Sequence, residues 1–418
     1  MTNNKKTVYV GMSGGVDSSV SAALLKEQGF DVVGVFIKVW QPDFVECTWR
    51  EDRLDAMRVC AKLEIPFITL NLEKEYKEGV ADYMINEYKL GRTPNPDVMC
   101  NKYVKFGAFF DWAIEQGADF VATGHYARCT RIADQRGLDA DRRRNNSQYQ
   151  LLAGEDKNKD QSYFLWTLTQ KQLSRTLFPV GDIEKPEVRR LADKFNLPTS
   201  TKKDSQGVCF LGKFDMKDFL AHYIKEIPGD VLNENGEIIG KHDGALYLTI
   251  GQRHGFFVTR TTIADLARTK AEKNQDVVNE VNKDIGPYYI ISKDIKNNTI
   301  TVSQNPHLEA RLRSLASRSV KIKDVNWTLG EEPDLSRKYS ARIRYRQPLE
   351  ECRIESRKSK VESDNSDCHP REGGDPVNIK KVDKEYEIHF TNPQKAITPG
   401  QSIVIYDEEV CLGGGVIS

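Results

Sequence analysis

The sequence has no apolar run approaching the ~18 residues that a membrane-crossing helix requires. It has no Cys-x-x-Cys pair and no surplus charge of either sign. The first absence excludes a helical membrane span. No signal-like apolar stretch follows residues 1–6, so the cytoplasm is the expected compartment. The eight cysteines (Cys47, Cys60, Cys100, Cys129, Cys209, Cys352, Cys368 and Cys411) are scattered, and no histidine stands at a zinc-site spacing from them. A structural disulfide framework is not expected in a reducing compartment, and a lone cysteine is by default a small buried apolar residue. Lys plus Arg total 61, as do Asp plus Glu, so composition does not announce a nucleic-acid partner and any polyanion site must be local.

At 418 residues the chain is longer than one hydrophobic core usually supports, and two or three domains are expected. Residues 7–11 read as a buried strand, 18–28 as a helix closed by Gly29, and 31–40 as a second apolar strand, which together make a βαβ unit. Alternation continues with helices over 50–63, 77–90 and 105–116 and strands over 66–70 and 119–123. The expected fold is an α/β parallel sheet with helices on both faces. Residues 127–150 are polar and read as an exposed loop or hairpin tip. From about residue 230, short alternating runs at 245–250, 288–292, 299–303, 341–346, 386–390 and 402–406 predict a β-rich second half that ends in a small barrel or sandwich. Residues 260–284 and 358–382 read as insertions. The division expected is 1–212 for a nucleotide-binding catalytic domain, 213–284 for a central module and 285–418 for a β-barrel-like domain.

The strongest chemical signal is the segment Gly11, Met12, Ser13, Gly14, Gly15, Val16, Asp17, Ser18 between a strand and a helix. Consecutive glycines let several N–H groups converge, and the helix start adds partial positive charge, which makes an anion pocket sized for phosphate. It is not a Walker A loop, because no Gly-Lys-Ser/Thr follows. The Ser-Gly-Gly-Val-Asp-Ser pattern resembles the loop of the pyrophosphate-loop ATPases, adenine-nucleotide alpha-hydrolase-like domains that cleave ATP between its α and β phosphates. That resemblance implies ATP with Mg2+ as cofactors, Asp17 helping to hold metal and pyrophosphate, and Ser13 and Ser18 donating to phosphate oxygens.

Two cysteines have distinctive surroundings. Cys100 follows a segment rich in Pro, Asn and Asp that reads as a loop, which predicts a near-surface position. Cys209 lies behind two lysines and a glycine turn, a setting that favours thiolate. In 337–346 five basic residues crowd into ten positions; strand alternation puts Arg342, Arg344 and Arg346 on one face, opposite Tyr345, where they either track phosphates or are simply solvated. Lys159, Asp160 and Gln161 precede an apolar stretch read as a helix and serve as its cap in the plainer reading.

Taken together, GMSGGVDSSV at 11–20, GRTPNPDVMCN at 91–101, ATGHYAR at 122–128, NKDQSYFL at 158–165, DSQGVCF at 204–210, TIGQR at 249–253, ARIRYR at 341–346 and TPGQ at 398–401 run in order over nearly the whole chain. The chain resembles the tRNA-specific 2-thiouridylases, enzymes that place sulfur on C2 of the wobble uridine. The two insertions and the Arg-rich loop at 141–147 depart from the family pattern. The resemblance implies that Cys209 receives sulfur as a persulfide from a cysteine desulfurase or sulfur-relay protein. It further implies that Cys100 is the catalytic partner, resolving the linkage as a disulfide bond, and that Asp97 is an acid or base. It places Ile37 and Gly124 in the nucleotide pocket. It assigns Asn95, Pro96, Asp97, His125, Lys159, Asp160, Gln161, Arg344, Tyr345 and Gln401 to contact with the anticodon stem-loop of tRNA; for His125 the plainer reading is a satisfied histidine at a strand end. Two rivals remain: a related ligase with a nitrogen nucleophile, which needs neither cysteine, and an RNA-binding protein that turns over no ATP.

Overall fold

The computed structural model describes residues 5–44, 49–132, 148–204, 216–258, 287–304, 318–358 and 384–418. Its N-terminal sheet is built from β1 (Thr7–Gly11), β2 (Asp31–Lys38), β3 (Phe67–Asn71), β4 (Phe120–Ala122) and β7 (Thr176–Leu177). The order is β3-β2-β1-β4-β7, and every neighbouring pair is parallel. Helix α1 (Val16–Glu27) follows β1 and buries Val16, Val20 and Ala23; it stops where Gly29 takes φ +89°. Helix α2 (Trp49–Lys62) buries Ala56, Val59 and Cys60. Burial pushes the Cys60 thiol up to about 12, so this cysteine behaves as the apolar residue expected of it. The chain leaves β1 toward β2 on one side and the sheet continues through β4 on the other, so a topological switch point lies beyond the carboxyl ends of β1 and β4.

A hairpin of β5 (Ala127–Arg131) and β6 (Tyr149–Ala153) carries the N-terminal domain into the C-terminal one. The six strands β13 (Ser319–Trp327), β14 (Tyr339–Arg342), β15 (Glu350–Lys358), β16 (Lys384–Phe390), β17 (Ser402–Asp407) and β18 (Val410–Ile417) form an antiparallel barrel closed by β13 against β18. Strand β6 pairs with β18 through Leu151 and Leu152, extending the barrel wall with N-terminal chain. Between them a second sheet has the order β10-β9-β8-β12-β11, formed by β8 (Gly229–Leu232), β9 (Ile238–His242), β10 (Phe256–Val258), β11 (Tyr289–Asp294) and β12 (Thr299–Ser303).

Several expectations are corrected. Strands β11 and β12, assigned in sequence to a third unit starting at 285, pair into the middle sheet through β8. The helix expected after Gln161 is only a 3-10 turn, Ser162–Phe164: Asn326 Nδ2 from β13 donates to the carbonyls of Trp166 (2.7 Å) and Leu168 (3.0 Å), taking acceptors a helix would use. Residues 245–250 contain a 3-10 turn, Ala245–Tyr247, where a strand was expected; Ala245 N–H donates to the Asn298 side chain instead of a strand partner. The strand at 341–346 ends at Arg342, and Arg346 has φ +63°. The insertions at 260–284 and 358–382 and the loop at 141–147 lie almost wholly or wholly outside the described residues.

Candidate active site

The glycine-rich loop occupies the switch point. Met12 N–H donates to Val35 O (2.7 Å), holding the loop's start on β2, while the Met12 and Val16 side chains are buried beneath it. Gly14 has φ +73°, and a Cβ there would collide with the Asp52 carbonyl, so only glycine fits. Ser13 Oγ accepts from Gly15 N–H (3.3 Å), and Ser18 Oγ accepts from Ser13 N–H (3.2 Å). From the end of β4, Gly124 approaches so closely that an added Cβ would lie 2.7 Å from Ser18 N. Close backbone approach and a helix start therefore coincide, the arrangement that receives a phosphate. Ile37, on β2, is buried within the same domain.

Asp17, in the first turn of α1, is the hub of a charge network. Its Oδ1 accepts from Lys185 Nζ (2.6 Å) and Tyr126 OH (2.8 Å). Burial, reinforced by the Asp17 charge, pushes the Tyr126 phenol far above its ordinary value, so it stays a donor. Lys185 Nζ lies 2.9 Å from Asp204, whose carboxylate also takes Arg189 and Lys159, each at 2.7 Å. Burial works against the Asp204 carboxylate, but the hydrogen bonds from Lys159 and Lys185 outweigh it and hold the carboxyl at about 2. Lys185, Arg189 and Tyr126 went unnoticed in sequence. One signal was legible: two cations, four residues apart, open the helix Lys185–Lys194, where the helix dipole disfavours them unless an anion is present.

Cys100 corrects its sequence reading. Asn95 caps a helix, its Oδ1 accepting from Val98 N–H (3.3 Å), and Pro96 takes the first helical position, where its missing N–H is harmless. The helical run continues through Cys100, which is fully buried in one apolar cluster with Ile37, Val98, Val104, Phe109 and Tyr163. Further along, Phe109 packs where a Cβ on Gly11 would meet it at 3.5 Å, so the cysteine helix and the loop share a wall. Asp97 is half-buried in the first turn of that helix. Cys209 lies outside the described residues.

The residues expected at the tRNA surface are placed differently from one another. Asp160 is buried and accepts from the N–H groups of Gly154 and Ser162 (both 3.0 Å), so the capping part of its reading holds for a single turn. Gln161 Oε1 accepts from Tyr126 N–H (3.0 Å). His125 is buried between Phe106 and Phe178 and bonded through Nδ1 to Thr123 Oγ1 (2.7 Å); burial, then the Lys105 charge, holds its pKa well below the ordinary histidine value. The basic face expected at 342–346 is not a solvated strand. Arg344 donates to Ile250 O (3.1 Å), Ala396 O (2.9 Å) and Thr398 Oγ1 (3.1 Å), and Arg342 lies 3.8 Å from Asp160. Only Arg346 of the three is exposed, its guanidinium 5.2 Å from the Tyr345 ring centroid. Gln401 Nε2 donates to Thr93 O and Pro94 O (both 3.2 Å), and Thr93 Oγ1 meets Thr249 Oγ1 (3.2 Å). Barrel, middle sheet and the Asn95 cap thus meet at one junction.

A parallel α/β sheet with a glycine-rich loop at its switch point, followed by a β-rich middle module and a closed barrel, defines a three-part fold of the HUP, PRC-barrel and β-barrel type. Family profiles match in the same order: "tRNA methyl transferase HUP domain" over residues 6–213, "tRNA methyl transferase PRC-barrel domain" over 217–304, and "Aminomethyltransferase beta-barrel domain" over 317–367 and 360–417. The tRNA-specific 2-thiouridylase MnmA of Nitrosomonas eutropha is 43% identical over 99% of this chain and 99% of its own, and that of Listeria innocua is 43% identical over 100% and 96%. Among solved structures, the U34-tRNA thiolase NcsA of Methanococcus maripaludis is similar at 18% identity and a TM-score of 0.31, covering 53% of this chain and 64% of that one. The chain belongs to the tRNA-specific 2-thiouridylase family.

Proposed function

We propose that this protein is an ATP-dependent tRNA sulfurtransferase that converts C2 of the wobble uridine from carbonyl to thiocarbonyl. The observation that carries the reading is the shared wall between the anion loop and the Cys100 helix, at Gly11 and Phe109. ATP binds across Ile37 and Gly124 with its phosphates on residues 11–18. Uridine O2 attacks the α-phosphate, releasing pyrophosphate and turning O2 into a leaving group. Asp17 is the carboxylate available to Mg2+ arriving with the nucleotide, once it gives up Lys185. Among the described residues no cluster of three or more His, Cys, Asp or Glu side chains is arranged to hold a metal ion.

The terminal sulfur of a Cys209 persulfide then attacks C2 and AMP departs with the old O2. Cys100 attacks the Cys209 sulfur, which leaves thiouridine and a Cys100–Cys209 disulfide that a dithiol must reduce before the next turnover. The two electrons that reduce the sulfane sulfur come from the two cysteines, so the step balances. Asp97, in the first turn of the Cys100 helix, is the residue this reading gives the proton of the target base. The anticodon stem-loop meets the protein over the junction of Asn95–Asp97, Arg344–Tyr345 and Gln401. His125, being buried, acts from behind this surface.

Mass spectrometry of tRNA after incubation with protein, ATP, Mg2+ and a persulfide donor tests the reading. One sulfur-for-oxygen exchange per tRNA with equimolar AMP is expected. AMP formation that persists with a nitrogen product, or tRNA binding without any AMP, points to the two rivals.

A further inference from the structure

Lys159, Lys185 and Arg189 converge on one carboxylate, Asp204, and one of them, Lys185, also touches Asp17 at the start of α1. Three cations and two carboxylates meet beside the glycine-rich loop, and a third carboxylate, Asp156, accepts from the backbone N–H groups of Lys185 (3.0 Å) and Lys159 (3.2 Å). Lys185 has a side chain only 10% exposed, whereas Asp204 keeps 31% of its own exposed. Lys185 is therefore the more fixed partner, and Asp204, about as exposed as Lys159 and Arg189, has water to move into. One carboxylate oxygen, Asp204 Oδ1, takes both Lys185 and Arg189 while Oδ2 takes Lys159. A phosphoryl group offers more oxygens and more charge to the same three donors.

We propose that Lys159, Lys185 and Arg189 form the second half of a polyphosphate site opposite the loop at 11–18, and that Asp204 is its built-in competitor, seated where a phosphate group belongs. The ligand is pyrophosphate, free or as the β and γ groups of a nucleoside triphosphate. On its arrival the Asp204 carboxylate is exchanged for phosphate oxygens, with no covalent bond made or broken, and Lys185 turns from Asp17 toward the ligand. Asp17 is thereby freed. The inference deepens the ATP reading and rests on it for the nucleotide form of the ligand. It also gives Lys159 a phosphate role where the family resemblance implied tRNA contact.

The two sides of the exchange predict opposite signs. Titration calorimetry of the full chain with inorganic pyrophosphate, at fixed ionic strength with Mg2+, is expected to give Asp204→Asn about tenfold tighter binding and Lys185→Gln about tenfold weaker binding. A purely structural network would weaken in both variants. Asp204→Asn binding no tighter than the unmodified protein overturns the competitor. Should the buried Lys185→Gln fail to fold, Arg189→Gln, at a side chain 35% exposed, carries the test of the site: binding severalfold weaker is expected, and unchanged affinity overturns it. AMP release from ATP and tRNA is measured on the same preparations. Unmodified protein that binds pyrophosphate but never forms AMP defeats the ATP reading, whereas normal AMP with unchanged Arg189→Gln affinity defeats this site alone.

Discussion

The anion loop and the Cys100 helix adjoin each other but are held by different forces. Around Asp17 the contacts are between full charges, partly open to water and exchangeable for a ligand of the same sign. Around Cys100 they are apolar packing and neutral hydrogen bonds, with barrel residue Gln401 fixing the carbonyls of Thr93 and Pro94 just before the Asn95 cap. Electrostatic contacts with solvent access rearrange at low cost, while a close-packed pocket is set in advance. In the proposed reaction, adenylation would fall to the adaptable region and sulfur handling to the preset one.

The sharpest way to separate the two is Cys100→Ser. Thiouridine formation is expected to fall below detection while AMP formation continues, as liquid chromatography of digested tRNA and of nucleotides would show; AMP lost together with thiouridine would merge the two regions into one. Asp17→Asn is the converse. Removing the carboxylate that meets Lys185, and that would meet Mg2+, is expected to slow AMP formation by about 10²-fold, a typical loss for one electrostatic group at a reacting phosphate. Thiol content and melting temperature should stay near those of the unmodified protein.

Much of the adaptable region was readable in advance because its cause is local. An apolar run, two glycines and a helix start are neighbours in sequence, and the strand, loop and helix appear where expected. The preset region was not readable, because its causes are remote. Cys100 is buried by a helix that begins at Pro96 and is braced by Gln401, 307 residues beyond Pro94. The apolar segment after Gln161 loses its helix to Asn326, which is contributed by the barrel. The strand expected through Arg346 stops at Arg342 for the same reason: Arg344 bonds to Ile250 and Ala396, which lie in two other parts of the fold. The Lys185 network falls between these cases, since its helix position was a local clue but its partners Asp17 and Asp204 were not.

Intermediate effects follow from the junction itself. Gly400 has φ +92°, and an added Cβ would stand 2.8 Å from Thr93 O, so Gly400→Ala is expected to lower stability by about 1–3 kcal/mol through backbone strain. Thiolation should fall more than AMP formation, because the strain is delivered to the cap of the Cys100 helix; equal losses would show that the barrel braces both regions alike. Arg344→Ala takes the charged donor from Ile250 O and Thr398 Oγ1 and one of two donors from Ala396 O, for about 1.5–3 kcal/mol as judged from hydrogen bonds to charged groups. Denaturant unfolding measures it. If tRNA phosphate were the main partner of Arg344, the salt dependence of tRNA binding would flatten while stability stayed unchanged.

The smallest expected effect tests how closed the wall between the regions is. His125 is held neutral by burial and then by Lys105, so its folded pKa lies below the unfolded value of about 6.5. Below that unfolded value the unfolded chain binds a proton that the folded chain refuses. Stability contributed by the neutral ring is therefore complete above about pH 6.5 and declines as the pH falls toward 5, with a slope of at most about 1.4 kcal/mol per pH unit from this group. His242, also lowered mainly by burial, adds a slope of the same sign from the middle sheet. Unfolding measured between pH 7.5 and 5 should therefore be less pH-dependent in His125→Gln, with the remaining slope assigned by His242→Gln. An undiminished slope in His125→Gln would mean that the imidazole already exchanges protons with solvent in the folded state, and that the wall behind Phe106 and Phe178 is open.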